Sequence, residues 1–306
     1  MTNAQRNPGW AAVMVVVTLL VLAGATAAHA QTFSVLYTFA NVSGGWNPQA
    51  GLIADSAGNL YGTAEYGGSL SSPCGRDGAG VVYKLSPTGQ ETVLHTFTGV
   101  DGCFPFTSLL QDAAGNLYGT TTGGGNTYHG TAFKLNPAGT EVVLHSFTNG
   151  KDGSDPEGNL ISDRAGNLYG TTTGGGLYGH AGCGGGCGVV YELNSTGKEM
   201  VLHSFTGVDG VDGSNPVGGL IRDPAGNLYG TTATGGVAGI GGLGYGTVYK
   251  LDPAGKETIL HSFTDGADGA FPAAGLVRDA AGNLYGTTPR GGSVGDFGVV
   301  FKVTLP

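Results

Sequence analysis

Charge is scarce in this chain: 11% of its 306 residues are Asp, Glu, Lys or Arg, and acids outnumber bases 22 to 13. So few Lys and Arg cannot build the clustered positive surface that phosphate backbones require, which argues against nucleic acid as a partner. Apolar segments with a period near 3.6 are missing beyond the N-terminus, so helix is not expected there. The GxxxxGKS/T phosphate loop is absent, as is the GGxGxDxUx repeat of calcium-binding β-helices. A strict G-X-Y period is lacking too, which excludes collagen despite 61 glycines. Gly291 to Gly295 fits G-x-S-x-G but has no strand-to-helix elbow around it, and glycine richness produces such matches by chance.

What is present begins with an address. Arg6, an apolar run from Ala11 to Ala25 and Ala28-His29-Ala30 make residues 1–30 a signal peptide cleaved before Gln31. Its removal takes the formal charge from −9 to −10. No later hydrophobic run could span a bilayer, so the mature chain is expected to be exported, extracellular or in the periplasm and cell envelope. Export makes the four cysteines disulfide candidates. Cys183 and Cys187 bracket three glycines and can close a small loop, which leaves Cys74 and Cys103 as the second pair. A metal reading of Cys183 and Cys187 finds only His180 nearby.

The string GNLYGT starts at Gly58, Gly115, Gly166, Gly226 and Gly282, at intervals of 57, 51, 60 and 56 residues. A period near 50 indicates a solenoid, propeller or array. Each copy carries four short strand patterns. In the fourth these are Gly219–Arg222 (a), Asn227–Thr232 (b), Gly246–Leu251 (c) and Glu257–Phe263 (d), with Asp-Pro-Ala-Gly turns between a and b and between c and d. We therefore expect an all-β fold, a five-bladed β-propeller of four-stranded antiparallel blades filling residues 31–306 as one domain. Strand d follows only four of the five copies of a, b and c. Val35-Leu36-Tyr37-Thr38-Phe39 has the missing pattern, so the N-terminal strand should close the last blade. Small residues heading strand a (Gly51, Ser108, Asn159, Gly219, Gly275) suit crowding at the axis. The glycine inside strand b suggests close approach of a neighbouring blade.

The b–c and d–a loops should share one face of the disc, where a ligand is expected. His95, His145, His203 and His261 lie on outer strands too far apart to converge on one ion, which makes them structural. Asp55, Asp112, Asp163, Asp223 and Asp279 recur in every blade as turn caps rather than an acid–base pair. Asp101, Asp152, Asp212 and Asp268 sit in DGxxP turns, where calcium, especially at Asp209 and Asp212, is the alternative to simple Asp-Gly turns. The residue after the d–a proline should flank the axis, and it reads Gln49, Phe106, Glu157, Val217 and Ala273. Glu157 with Asp155 and Asn159, and Trp46 with Gln49, break the symmetry. An aromatic with polar neighbours suits a sugar or peptide, so Trp46, Gln49, Asp155 and Glu157 are the candidate ligand-binding residues. No catalytic set, metal site or cofactor motif is read from the sequence.

The combined pattern GLIxDxAGNLYGTT, GTVYKL and xVLHSF, from Phe33 to Val303, resembles the GloVer tandem repeat of exported bacterial choice-of-anchor proteins. The a–b string is also similar to NHL-type propeller blades. The resemblance implies export and a repeat architecture, with no reaction attached. The expected function is a non-enzymatic binding module for an extracellular polysaccharide or protein. A glycosidase-like propeller and a structural envelope component are the alternatives, the former requiring unique acids at the axis.

Overall fold

Runs such as Val81-Val82-Tyr83-Lys84-Leu85 place β-branched and aromatic residues on a pleated surface, and each repeat folds into one antiparallel sheet. The structure is a computed structural model that describes residues 32–40, 43–70, 72–177, 183–207, 212–237 and 244–305. Residues 1–30, read above as a signal peptide, lie outside the described residues, as do His180 and Asp209. Two compact units divide at Leu36 and Tyr37. The described part of the first, residues 32–36, contains no strand and exposes Phe33, Val35 and Leu36.

The second unit holds the blades. Blade 1 comprises Ile53–Ala54, Leu60–Ala64, Val81–Leu85 and Glu91–Thr96, paired in the order a-b-c-d. Blade 2 repeats this with Leu110–Gln111, Leu117–Thr121, Thr131–Leu135 and Glu141–Ser146. Blade 3 uses Ile161–Ser162, Leu168–Thr172, Val189–Leu193 and Glu199–Ser204. Blade 4 uses Ile221–Arg222, Leu228–Thr232, Thr247–Leu251 and Glu257–Ser262. Blade 5 has only Val277–Arg278, Leu284–Thr288 and Val299–Val303. A sixth, two-stranded sheet joins Gly213–Ser214 to Thr234–Gly235; it links a d–a loop to a b–c loop and is not a blade. Among the described residues no helix is long and apolar enough to cross a membrane.

The turn between strands a and b is built identically five times. Asp55 accepts hydrogen bonds from Ala57 N, Asn59 N, Asn59 Nδ2 and the Tyr61 hydroxyl at 2.8–2.9 Å. Asp112, Asp163, Asp223 and Asp279 also accept from the Asn and Tyr of their own copies. These donors hold the carboxylates below their ordinary range, Asp55 and Asp279 at about 2. The repeated AGNLY is thus a cap closed on its aspartate.

The glycine inside strand b has a different cause from the one the sequence suggests. Gly170 is the register partner of Tyr191 on strand c of the same blade, whose ring lies over it. A Cβ on Gly170 would stand 2.6 Å from Tyr191 Cζ and 3.0 Å from Leu160 Cδ2. Gly62, Gly119, Gly230 and Gly286 stand under Tyr83, Phe133, Tyr249 and Phe301 in the same way. The crowding comes from within the blade.

Blades then pack through those rings. Phe97 meets Phe133, Phe147 meets Tyr191, Phe205 meets Tyr249 and Phe263 meets Phe301, edge to face at 5.1–5.2 Å between centroids. Phe39 meets Tyr83 at 5.1 Å, and the Tyr37 hydroxyl donates to Glu91. The N-terminal segment therefore occupies, on blade 1, the place that strand d of a preceding blade would take. It does not complete blade 5, however. Residues 32–40 form no strand, and the fifth sheet remains three-stranded. Leu52 of blade 1 is 50% exposed while Leu109, Leu160, Leu220 and Leu276 at the same position are 3–4% exposed. Val277 and Val300 of blade 5 are 68% and 81% exposed. Blade 1 is thus covered by Tyr37 and Phe39 at its outer strands but open at Leu52, blade 5 is open along Val277 and Val300, and the expected four-stranded closure of blade 5 is not found among the described residues.

Candidate functional site

Each d–a loop passes through a left-handed residue before its proline: Asn47, Phe104, Asp155, Asn215 and Phe271, with φ of 55–61°. For phenylalanine this is strained backbone, held because both of its peptide groups are committed. Phe104 N donates to Ala79 O and Phe104 O accepts from Thr122 N. The clamp fixes b–c loops to the d–a loop, and the side chain preceding the left-handed residue is buried in blades 2 to 5, as Cys103, Ser154, Ser214 and Ala270.

In blade 1 that side chain is Trp46. Its backbone pairs with Tyr66 at 3.1 and 3.2 Å, and the two rings lie 4.6 Å apart at 33°. Phe104 meets Tyr66 edge-on at 5.6 Å. Trp46 is 39% and Phe106 38% exposed. Beside the rings, Asn47 Nδ2 and Gln49 Nε2 donate to Glu65 Oε2 at 2.8 and 2.7 Å. The result is an aromatic platform with an amide and carboxylate edge, a chemistry suited to pyranose rings and hydroxyls. Tyr66, Phe104 and Glu65 escape the sequence reading because the equivalents of Tyr66 in other blades are Gly123, Gly174, Thr234 and Arg290. Only the bridge to Trp46 reveals their role.

Asp155 and Glu157 form a second group in blade 3. Ser154 Oγ donates to Asp155 Oδ2 at 2.9 Å, and Asn159 Oδ1 accepts from Ser108 N at 2.9 Å. Burial, and then the neighbouring Asp155, push the Glu157 carboxyl up. Among the described residues no hydrogen bond or ring contact joins this pair to the Trp46 platform. Cys74 is bonded to Cys103 and Cys183 to Cys187. The first disulfide ties two loops of this face together across 29 residues. On the opposite face an open groove of about 690 Å³ lies between blades 3 and 4. Its walls are the turn caps Asp163 and Asp223 with Arg164 and Arg222. Both aspartates there are occupied by their own turns, which leaves that groove little free acceptor chemistry.

The histidines do not converge, as distance requires, but each meets carboxylates. His95, His145 and His261 bond Asp101, Asp152 and Asp268 at 2.9–3.1 Å, and those aspartates also accept from Thr98, Thr148 and Thr264. The next blade adds a glutamate. Burial pushes Glu141 and Glu199 up to about 7, with Asp101 and Asp152 adding to the rise and His95 opposing it for Glu141. A carboxyl whose pKa is raised by folding contributes stability below its unfolded pKa, and this contribution is lost as pH rises through about 7. The capping aspartates act oppositely, losing their contribution only as pH falls toward about 2. Thermal stability should therefore fall between pH 5 and pH 8. Glu141→Gln with Glu199→Gln should flatten that fall in a melting series, and an unchanged slope would refute the assignment.

The chain matches the model of the Gloeobacter/Verrucomicrobia repeat over residues 25–241 and 177–306. No curated protein matches it by sequence. Among solved structures, it is similar to the extracellular domain of a protein assigned as a one-component system from B. thetaiotaomicron. The TM-score is 0.51 at 12% identity, over 84% of this chain and 27% of that one. A protein assigned as a 6-phosphogluconolactonase from Bacteroides uniformis gives 0.50 at 16% identity, over 85% and 68%. A gluconolactonase from Xanthomonas campestris gives 0.46 at 15%, over 84% and 71%. Such identities bear on fold alone.

Proposed function

We propose, from the premise that this chain belongs to the Gloeobacter/Verrucomicrobia repeat family, that it is an exported, non-catalytic module binding polysaccharide on its loop face. The observation that carries this reading is the exposed Trp46 ring backed by Tyr66, with Gln49 and Asn47 held by Glu65. A flat ring fixed by its backbone binds sugar faces with little loss of side-chain entropy. Two disulfides and the leader-like residues 1–30 support export.

The test is co-sedimentation of the purified chain with insoluble polysaccharides, with released sugars assayed in the supernatant. Trp46→Ala should weaken binding by about tenfold, the value of about 1.4 kcal/mol of stacking, in protein that still melts cooperatively, with a modest fall in melting temperature from loss of the Tyr66 contact. Failure to sediment with any polysaccharide would overturn the reading. A second reading rests on Glu157, whose raised pKa beside Asp155 suits a general acid. Sugar release abolished by Glu157→Gln would establish that reading in place of the first.

A further inference from the structure

The outer rim repeats one arrangement at successive blade junctions: a histidine and an aspartate of one blade face a glutamate of the next. At the first two junctions His95 and His145 bond their aspartates directly, at 2.9 and 3.1 Å. The third departs from this. His203 Nε2 stands 3.8 Å from Asp212 Oδ2 and 3.7 Å from Glu257 Oε2, too far for hydrogen bonds. All three ligand atoms lie within 4.8 Å of one another, as do those of His95, Asp101 and Glu141 at the first junction, where His95 is already hydrogen-bonded to Asp101.

Burial makes this separation informative. The Asp212 and Glu257 side chains are 5% and 10% exposed, and His203 is 18% exposed. His203 Nε2 and Glu257 Oε1 are buried atoms without a hydrogen-bond partner. No Lys or Arg among the described residues forms an ion pair with either carboxylate. Two carboxylates withdrawn from water with no cation are strongly disfavoured, and an imidazole nitrogen facing them unbonded is a lost interaction. A bound cation would remove both costs.

The spacing fits one. Ligand atoms at 2.0–2.2 Å around a tetrahedral ion lie about 3.3–3.6 Å apart, close to the separations from His203. One imidazole and two carboxylates form a donor set for first-row divalent ions. Asp212 is already oriented for the role: its Oδ1 accepts from Thr206 Oγ1 and its Oδ2 from Thr206 N, both at 2.9 Å. We propose that His203, Asp212 and Glu257 bind a divalent cation of the zinc or manganese kind, which ties the outer strand of blade 3 to that of blade 4.

The full chain, stripped with chelator, would be titrated with ZnCl2 and with MnCl2 by calorimetry and by thermal melting. One ion should bind per chain, and the melting temperature should climb with metal concentration. Glu257→Gln preserves shape and removes a buried charge, so that variant should fold while losing at least tenfold in metal affinity. Glu141→Gln, at the first junction, should retain the metal response. The proposal fails if no saturable shift occurs with either metal. It fails equally if the shift survives Glu257→Gln or disappears in Glu141→Gln.

Discussion

Phe147→Ala is expected to lower unfolding stability by about 3–5 kcal/mol, the range for deleting a large ring from a core that cannot collapse around the gap. Phe147 is 0% exposed and closes the junction between blades 2 and 3, its ring 5.1 Å from that of Tyr191. Ala132, Leu160 and Val189 share its cluster, and all are buried. These neighbours belong to sheets on both sides, so relaxation into the cavity would have to move whole blades. Phe39→Ala provides the contrast. That ring makes the same contact with Tyr83, at 5.1 Å, but is half-buried in a segment that forms no strand. Its loss should be clearly smaller. Urea denaturation of both variants measures the difference, and a Phe147→Ala loss under about 1 kcal/mol would contradict the packing described for the junctions.

Gly170→Ala should destabilise by about 1–3 kcal/mol, as overpacking does in a filled core. The added methyl would meet the Tyr191 ring, which is completely buried. Conformational entropy alone predicts the reverse, because alanine restricts the unfolded chain more than glycine does, by about 0.4–1 kcal/mol in favour of folding. The sign of the effect therefore separates the two explanations. Tyr191→Phe should restore part of the loss. It deletes the hydroxyl nearest the new methyl, and that hydroxyl is buried without a partner. Alone, Tyr191→Phe should be neutral or slightly stabilising, since an unsatisfied buried hydroxyl costs about 1–3 kcal/mol. Phe133 and Phe301 already fill this place in blades 2 and 5. A stabilised Gly170→Ala variant would show that the ring yields and that crowding does not dictate the glycine.

How much could be read before the structure depended on the range over which each residue acts. Aspartate caps were legible because Asp55 and its donors Ala57, Asn59 and Tyr61 lie within six residues. Strand number, order and turns follow from local chemistry of the same kind, written five times. The glycine of strand b was legible as crowded, but the crowding residue stands about twenty positions away across a pair of strands. The glutamate that faces a histidine across a blade junction was not legible at all: Glu257 reaches His203 from the next blade, 54 positions on.

By itself, then, the sequence determined the all-β class, the four-stranded repeat and the loops that share a face, because each rests on periodicity and short-range hydrogen bonding. Tertiary structure alone decided which ring backs Trp46, which carboxylate faces His203 and whether the first and last blades meet. Those depend on the rotation between packed sheets. That angle is summed over side-chain contacts between repeats and is written in no single one of them.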